Sequence, residues 1–278
     1  MKFLQNEPLA KHTSLKVGGL AKLFCVPKNV EELRAALTLE EKKLVIGNGT
    51  NLIFSDEGFS GLVICLADFC TSIKVDGETA IAGAGVALNK LVNTLAENEL
   101  VGLEFLAGIP GTVGGALIMN AGAWGGEIGR FVESVKVVDY QGEEKVLTRG
   151  ELTFSYRASS ISGVVVEVIF KLKHGASIKL IEECRVKRQQ RHPLDLPNCG
   201  SVFKNPPGKI AAKLIEEAGC KGLRVGDAQI SEKHANFIVN LGGATSQDVV
   251  GLISLVRQRV ADKFALFLEP EVIIVKPD

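Results

Sequence analysis

Two glycine-rich stretches carry the residue types that could cradle an anion. The first, "IGNGTNLIFSD" (46–56), sets Ile46, Gly47, Asn48, Gly49, Thr50, Asn51 and Leu52 directly after a predicted strand. Gly47 and Gly49 permit a tight turn, and Asn48, Thr50 and Asn51 can donate to phosphate oxygens. The second, "FLAGIPGTVGGALIMNAGAWGG" (105–126), is 22 residues long, has seven glycines and no charge. Its length suits a membrane span, but Pro110 and the glycines would leave backbone groups unpaired in lipid. It reads instead as a glycine turn running into a short helix, with amide N–H groups able to face an anion such as a pyrophosphate. Two such loops in one chain point to a large phosphorylated cofactor clasped from two sides.

Other phosphate chemistry is excluded by what is missing. There is no G-x-x-x-x-G-K-[ST] stretch, so a P-loop is ruled out. "GAGVAL" (83–88) begins like a dinucleotide fingerprint, but Leu88 stands where its third glycine belongs, and it reads as a tight strand-to-helix turn. The chain has no G-x-S-x-G and no H-E-x-x-H, and His12, His174, His192 and His234 are far apart in sequence, so no metal site is expected.

These loops need elements to hold them. "KLVIG", "GLVICL", "SVKVVDY" and "VVVEVIFKL" are short, β-branched and apolar, and read as strands. "QGEE" after Tyr140 predicts a hairpin turn into "KVLT". Leu88, Leu91, Val92 and Leu95 recur at helical spacing. Further helices are expected on "SIKLIEECRVKRQQR", on "GKIAAKLIEEAG" ending at Gly219, and after "ATSQD". In the last, Thr245 and Asp248 suit a capping box, and Val249, Ile253, Val256, Val260 and Phe264 form one stripe. "EVIIV" closes the chain as a strand. Strands and helices without strict alternation predict the α+β class.

Composition narrows the setting. The 278 residues carry 32 basic and 32 acidic side chains, so no charge excess points to nucleic acid. Apolar residues at 46% and charged residues at 23% suit a globular enzyme with a buried core. The six cysteines form no C-x-x-C pair, which predicts unpaired thiols in a reducing compartment. No apolar run precedes the first charges, and a cytoplasmic location is expected.

"HTSLKVGG" (12–19), both glycine stretches, "FSYRAS" (154–159), "GSVFKNP" (200–206), "AGCKGLRVGDAQISEKHANFIVN" (218–240) and "LEPEV" (268–272) follow in an order that resembles the UDP-N-acetylenolpyruvoylglucosamine reductase (MurB) family over nearly the whole chain. The resemblance implies an FAD-binding fold of the vanillyl-alcohol-oxidase type made of two α+β subdomains, with a C-terminal α+β substrate-binding domain. The expected division is 1–66, completed by a closing strand within 265–278; then 67–174; then 175–264. It also implies NADPH as electron donor, small-molecule partners only, and no nucleic acid, membrane or obligatory protein partner. FAD contacts would come from Ile46 to Leu52 and from Ala107, Gly108, Pro110, Gly111, Thr112, Gly114, Gly115, Ala116, Asn120, Gly122 and Ala123.

The activity implied is reduction of UDP-N-acetylglucosamine enolpyruvate to UDP-N-acetylmuramate for peptidoglycan. Hydride passes from flavin N5 to the vinyl carbon, and charge grows on the neighbouring carbon and carboxylate. Arg157 would hold that carboxylate with two donors, Ser201 would protonate the enolate, and Glu271 would orient it. In a strand, Glu269 and Glu271 share a face, so spacing does not choose between them, and Glu271 rests on the family pattern. Lys204 and Asn205, and more weakly Lys233 and His234, are candidates for the UDP-sugar. Longer members close a tyrosine-bearing loop over the substrate; here the only tyrosines are Tyr140 and Tyr156, so the chain resembles the shorter subclass, and Arg188 or Arg191 is a candidate for the shielding role. Two rivals stand beside this reading: another FAD oxidoreductase of the same fold acting on an alcohol or hydroxy acid, and a non-catalytic nucleotide-sugar binder.

Overall fold

The computed structural model describes residues 1–277. The chain divides into two compact units: Met1–Leu4, Leu23–Asn48 and Gly61–Arg188 form the first, and Gln5–Lys22, Gly49–Ser60 and Gln189–Asp278 the second.

In the first unit, Lys43–Ile46 pairs in parallel with 62–65, register Lys43 to Leu62 and Ile46 to Cys65. Helix α1 (Val30–Leu37), capped by the Asn29 side chain, buries Leu33, Ala36 and Leu37 against this pair. A five-stranded antiparallel sheet follows, in the order 144–148, 132–138, 164–171, 79–83, 73–76. The expected "QGEE" hairpin is its first pair, Val132–Val138 with Glu144–Thr148. Helix α2 (Leu88–Glu97) buries Leu88, Leu91, Val92 and Leu95, the predicted stripe. Thr79–Gly83 therefore runs through a tight turn into α2, which is the turn reading of "GAGVAL". Helix α3 (Val113–Ile118) is short and starts at the Thr112 cap, and α4 (Ile178–Arg191) adds Ile181 and Cys184 to the same core.

The second unit is built on an antiparallel sheet in the order 198–201, 237–240, 228–230, 224–225. Helix α5 (Ala211–Glu217) is followed by Gly219 at φ +68, the left-handed stop expected from sequence. Helix α6 (Ser246–Phe264) starts at the Thr245–Asp248 capping box and buries Val249, Leu252, Ile253, Val256 and Val260, worth about 1.5–3 kcal/mol each. Phe264 is partly buried against that core. Ile273–Val275 pairs in parallel with Leu52–Phe54.

All six cysteines are free thiols, five of them buried. The uncharged stretch 105–126 folds as a turn, then α3, then a two-residue hairpin, and among the described residues no helix is long and apolar enough to cross a membrane.

Candidate active site

The second glycine stretch is bound down along the turn between Thr79–Gly83 and α2. The amides of Val113 and Gly114 donate to the carbonyls of Val86 and Ala84, and Leu88 donates to Gly111. Gly108 donates to Asn89 Oδ1 at 2.7 Å, and Gly115 to Thr112 Oγ1 at 3.4 Å. This corrects the expectation that the amides entering α3 face an anion: those amides are already bonded within the protein. Among the described residues, the N–H groups of Gly111 and Thr112, in the turn ahead of the helix, lie outside this network.

The two glycine stretches meet in the first unit. A Cβ built on Gly47 would stand 2.6 Å from Thr112 Oγ1, so only glycine leaves room there. Asn48 is exposed and Ile46 buried beside it. The remaining loop residues belong to the second unit. Gly49, at φ +59, lies against the His12 carbonyl, 2.0 Å from where a Cβ would sit. Asn51 donates to the Glu271 carbonyl at 3.2 Å, and its own carbonyl receives the Ile273 amide. Leu52 is in register with Ile273. The Asn51 side chain thus ties down the "LEPEV" segment ahead of the strand Ile273–Val275.

Strained backbone gathers at the far end of the second stretch. Asn120, Trp124 and Arg157 all have positive φ, at 42°, 49° and 59°. Side-chain residues hold such values only where the surroundings impose them. Asn120 is 0% exposed, donates to the Ser155 carbonyl at 2.8 Å and accepts from Gly129. Its carboxamide is therefore used inside the protein and fixes the chain around it. Arg157 Nη2 donates to the Gly122 carbonyl at 3.2 Å, with the guanidinium 4.9 Å from the Tyr156 ring centroid. Arg157 and Gly122, two of the residues expected at the site, are brought together; Ala123, next in line, pairs with Gly126.

Arg188 lies elsewhere than expected. It is 8% exposed, its Nε donates to the Ala107 carbonyl at 3.2 Å, and its guanidinium sits 4.8 Å from the Trp124 ring centroid. A Cβ on Gly108 would come within 3.1 Å of its Cδ. Burial pushes the guanidinium down to about 10, which leaves it charged at neutral pH. Its Nη2 is buried and has no hydrogen-bond partner among the described residues. Sequence reasoning placed Arg188 only as a surface shield, yet Ile181, Cys184 and Arg188 fall on one buried helical stripe, and that spacing was the available signal.

The second unit holds the other two reactive candidates. Phe203 bridges Pro270, the Glu271 amide donates to the Val202 carbonyl at 2.8 Å, and the Lys204 amide donates to Glu269. "GSVFKNP" and "LEPEV", remote in sequence, therefore run side by side, with Ser201 and Glu271 both half-buried. Glu269 is exposed and accepts from Lys204 Nζ at 2.6 Å, which separates its role from that of Glu271. Asn205 Oδ1 accepts the Ala211 amide at the start of α5. Lys233 is exposed and donates to the Gln189 carbonyl. His234 is packed edge-on against His192 at 5.3 Å and against Phe237, and burial lowers its pKa. Cys199, two residues before Ser201, is fully buried and pushed up to about 12, so it stays a thiol.

The residues present fit a bound FAD on one observation: Arg188 directs an unpartnered cationic donor from a buried position beside Ala107 and Gly108. Residues 21–148 match the family model described as an FAD binding domain, and residues 192–275 match the UDP-N-acetylenolpyruvoylglucosamine reductase C-terminal domain. The reductase of that name from Clostridium tetani is 43% identical across 98% of this chain and 92% of its own length. The chain belongs to the UDP-N-acetylenolpyruvoylglucosamine reductase family. The reductase from Alkaliphilus oremlandii is 42% identical over 98% of this chain and 93% of its own. The crystal structure of the reductase from Thermus caldophilus superposes with a TM-score of 0.85 at 38% identity, covering 99% of this chain and 98% of that one. The fold is accordingly the FAD-binding fold expected, with the reductase-type C-terminal domain, and the chain is an oxidoreductase with FAD as cofactor.

Proposed function

We propose that this reductase uses NADPH to reduce the enolpyruvyl double bond of UDP-N-acetylglucosamine enolpyruvate, giving UDP-N-acetylmuramate for peptidoglycan in the cytoplasm. Bound FAD supplies hydride transfer, from NADPH to the terminal vinyl carbon. Arg157 holds the substrate carboxylate, where charge accumulates once the terminal carbon has gained hydride. Its guanidinium is permanently charged and offers paired donors, so the interaction is strongest when the charge is largest. Ser201 Oγ gives its proton to the carbon next to the carboxylate, completing the new C–H bond, and its alkoxide regains a proton from solvent. Glu271 orients that carbon against Ser201. Lys204 and Asn205 are assigned to the diphosphate, and Lys233 and His234 to the outer part of the UDP-sugar.

The observation that supports this reading is the bridge of 201–204 to 269–271, which brings the segments bearing Ser201 and Glu271 side by side. An oxidase of alcohols or hydroxy acids has no use for that pairing. The three-part division at residues 66 and 174, and the shorter subclass without a tyrosine loop, belong to the same proposal. The test is anaerobic: the yellow protein is reduced with NADPH and mixed with the enolpyruvyl UDP-sugar. Return of the oxidised flavin spectrum is expected. Failure to reoxidise, with ready reoxidation by oxygen alone, would overturn the assignment.

A further inference from the structure

Asn236 is 5% exposed, and sits in the run "HANFIVN". Its carboxamide makes a two-point contact with one residue of the opposite strand: Oδ1 accepts the Phe203 amide at 3.0 Å, and Nδ2 donates to the Phe203 carbonyl at 2.8 Å. Its main-chain carbonyl accepts the Val202 amide at 2.8 Å. A side chain that offers one donor and one acceptor in this way copies a peptide group of a sheet ladder. The ordinary ladder is broken here, because the register slips between Asn198 and Ser201, with Gly200 at φ +77. On its other side the same segment receives the Glu271 amide at the Val202 carbonyl.

From this we infer that Asn236 is the positioning residue of the proton-donating strand. It fixes Ser201 at the start of the 201–204 segment that runs beside Glu271, next to the point where the regular strand pairing fails. A one-residue slip of this segment would turn the Ser201 side chain to the opposite face, and the carboxamide contact permits one register only. The inference rests on the proposed roles of Ser201 and Glu271. Asp at 236 keeps the acceptor for the Phe203 amide but sets a carboxylate oxygen against the Phe203 carbonyl, so it breaks half of the clamp. Ala removes both halves.

The experiment uses flavin-loaded full-length protein and compares Asn236→Asp and Asn236→Ala with the parent, alone and on a Ser201→Ala background. Reduction of flavin by NADPH is expected to stay within threefold of the parent. Reoxidation by the enolpyruvyl UDP-sugar is expected to fall about 100-fold for Asn236→Ala, the cost of a displacement near 1 Å, with KM little changed. On the Ser201→Ala background the same change is expected to cost less than threefold, because the group being positioned is gone. Equal losses on both backgrounds, or a reoxidation rate equal to that of the parent, would overturn the inference. Amide hydrogen exchange at 202–203 gives a second readout that needs no turnover and applies to the Asp variant should the Ala variant not fold. Faster exchange there is expected, and unchanged exchange would refute the clamp. If the parent itself is not reoxidised by the UDP-sugar, the functional proposal fails, and exchange alone decides whether Asn236 holds the strand.

Discussion

Replacing Arg188 by Gln separates a cofactor-binding arginine from a purely structural one. In the protein alone the guanidinium bonds to the Ala107 carbonyl and packs on the Trp124 ring, and Nη2 has no hydrogen-bond partner among the described residues. A buried charge with an unfilled donor costs stability, so its removal should leave the melting temperature of the FAD-free protein level or slightly raised. The stack on Trp124 forms in the FAD-free protein, and if kept on binding it largely cancels from the binding difference. What remains is one charge-assisted hydrogen bond from Nη2 to an oxygen of FAD, about 1.5–3 kcal/mol. That corresponds to FAD dissociation weakened roughly 10- to 150-fold. Arg188→Lys keeps the charge but not the planar fork, and should fall between. The assay is titration of FAD-free protein with FAD by flavin fluorescence, alongside thermal melts of the FAD-free form. An FAD affinity within threefold of the parent, together with a lower melting temperature, would refute the argument.

Three other outcomes are expected. Glu271→Gln should slow reoxidation by the UDP-sugar and spare reduction by NADPH in stopped-flow half-reactions; a normal reoxidation rate would remove Glu271 from the chemistry. Gly47→Ala places a methyl 2.6 Å from Thr112 Oγ1 and should cost about 1–3 kcal/mol, read as a lower urea midpoint and weaker FAD retention. His234 is lowered from its ordinary value of 6.5 first by burial, and then by the nearby charges of Arg191 and Lys221, with Glu216 opposing. A base that resists protonation when folded contributes stability that is fully present above pH 6.5 and declines as the pH falls below it. Urea midpoints at pH 7.5 and 5.5 should show that decline, and His234→Phe should reduce it.

Elements whose formation is local were legible from sequence. The α2 stripe, the α6 capping box, the Gly219 stop and the hairpin after Tyr140 all follow from short-range spacing, and each forms as expected. The glycine density of the two stretches was legible as close backbone approach, and Gly47 makes one, against Thr112. Which of the second stretch's amides would be available was not, because that depends on the carbonyls of Ala84 and Val86, acceptors some thirty residues upstream that no local pattern identifies. The choice of Glu271 over Glu269 shows the same limit. Alternation puts both on one face, and only the Lys204 pairing with Glu269 tells them apart. Asn236 was missed because a buried polar residue looks like any surface one until its partners are known.

The parallel pairing of Leu52–Phe54 with Ile273–Val275 has a consequence for how the protein is made. Asn51 and Glu271 are hydrogen-bonded although 220 positions apart in the chain. On the ribosome, the first glycine loop emerges early but lacks its neighbouring strand until residues 273–275 have been synthesised. Contacts of such sequence separation form late, since the intervening chain must be ordered first. Residues 49–52 thus wait on the strand Ile273–Val275, so a chain cut before Ile273 would emerge with its second glycine stretch built and its first left open.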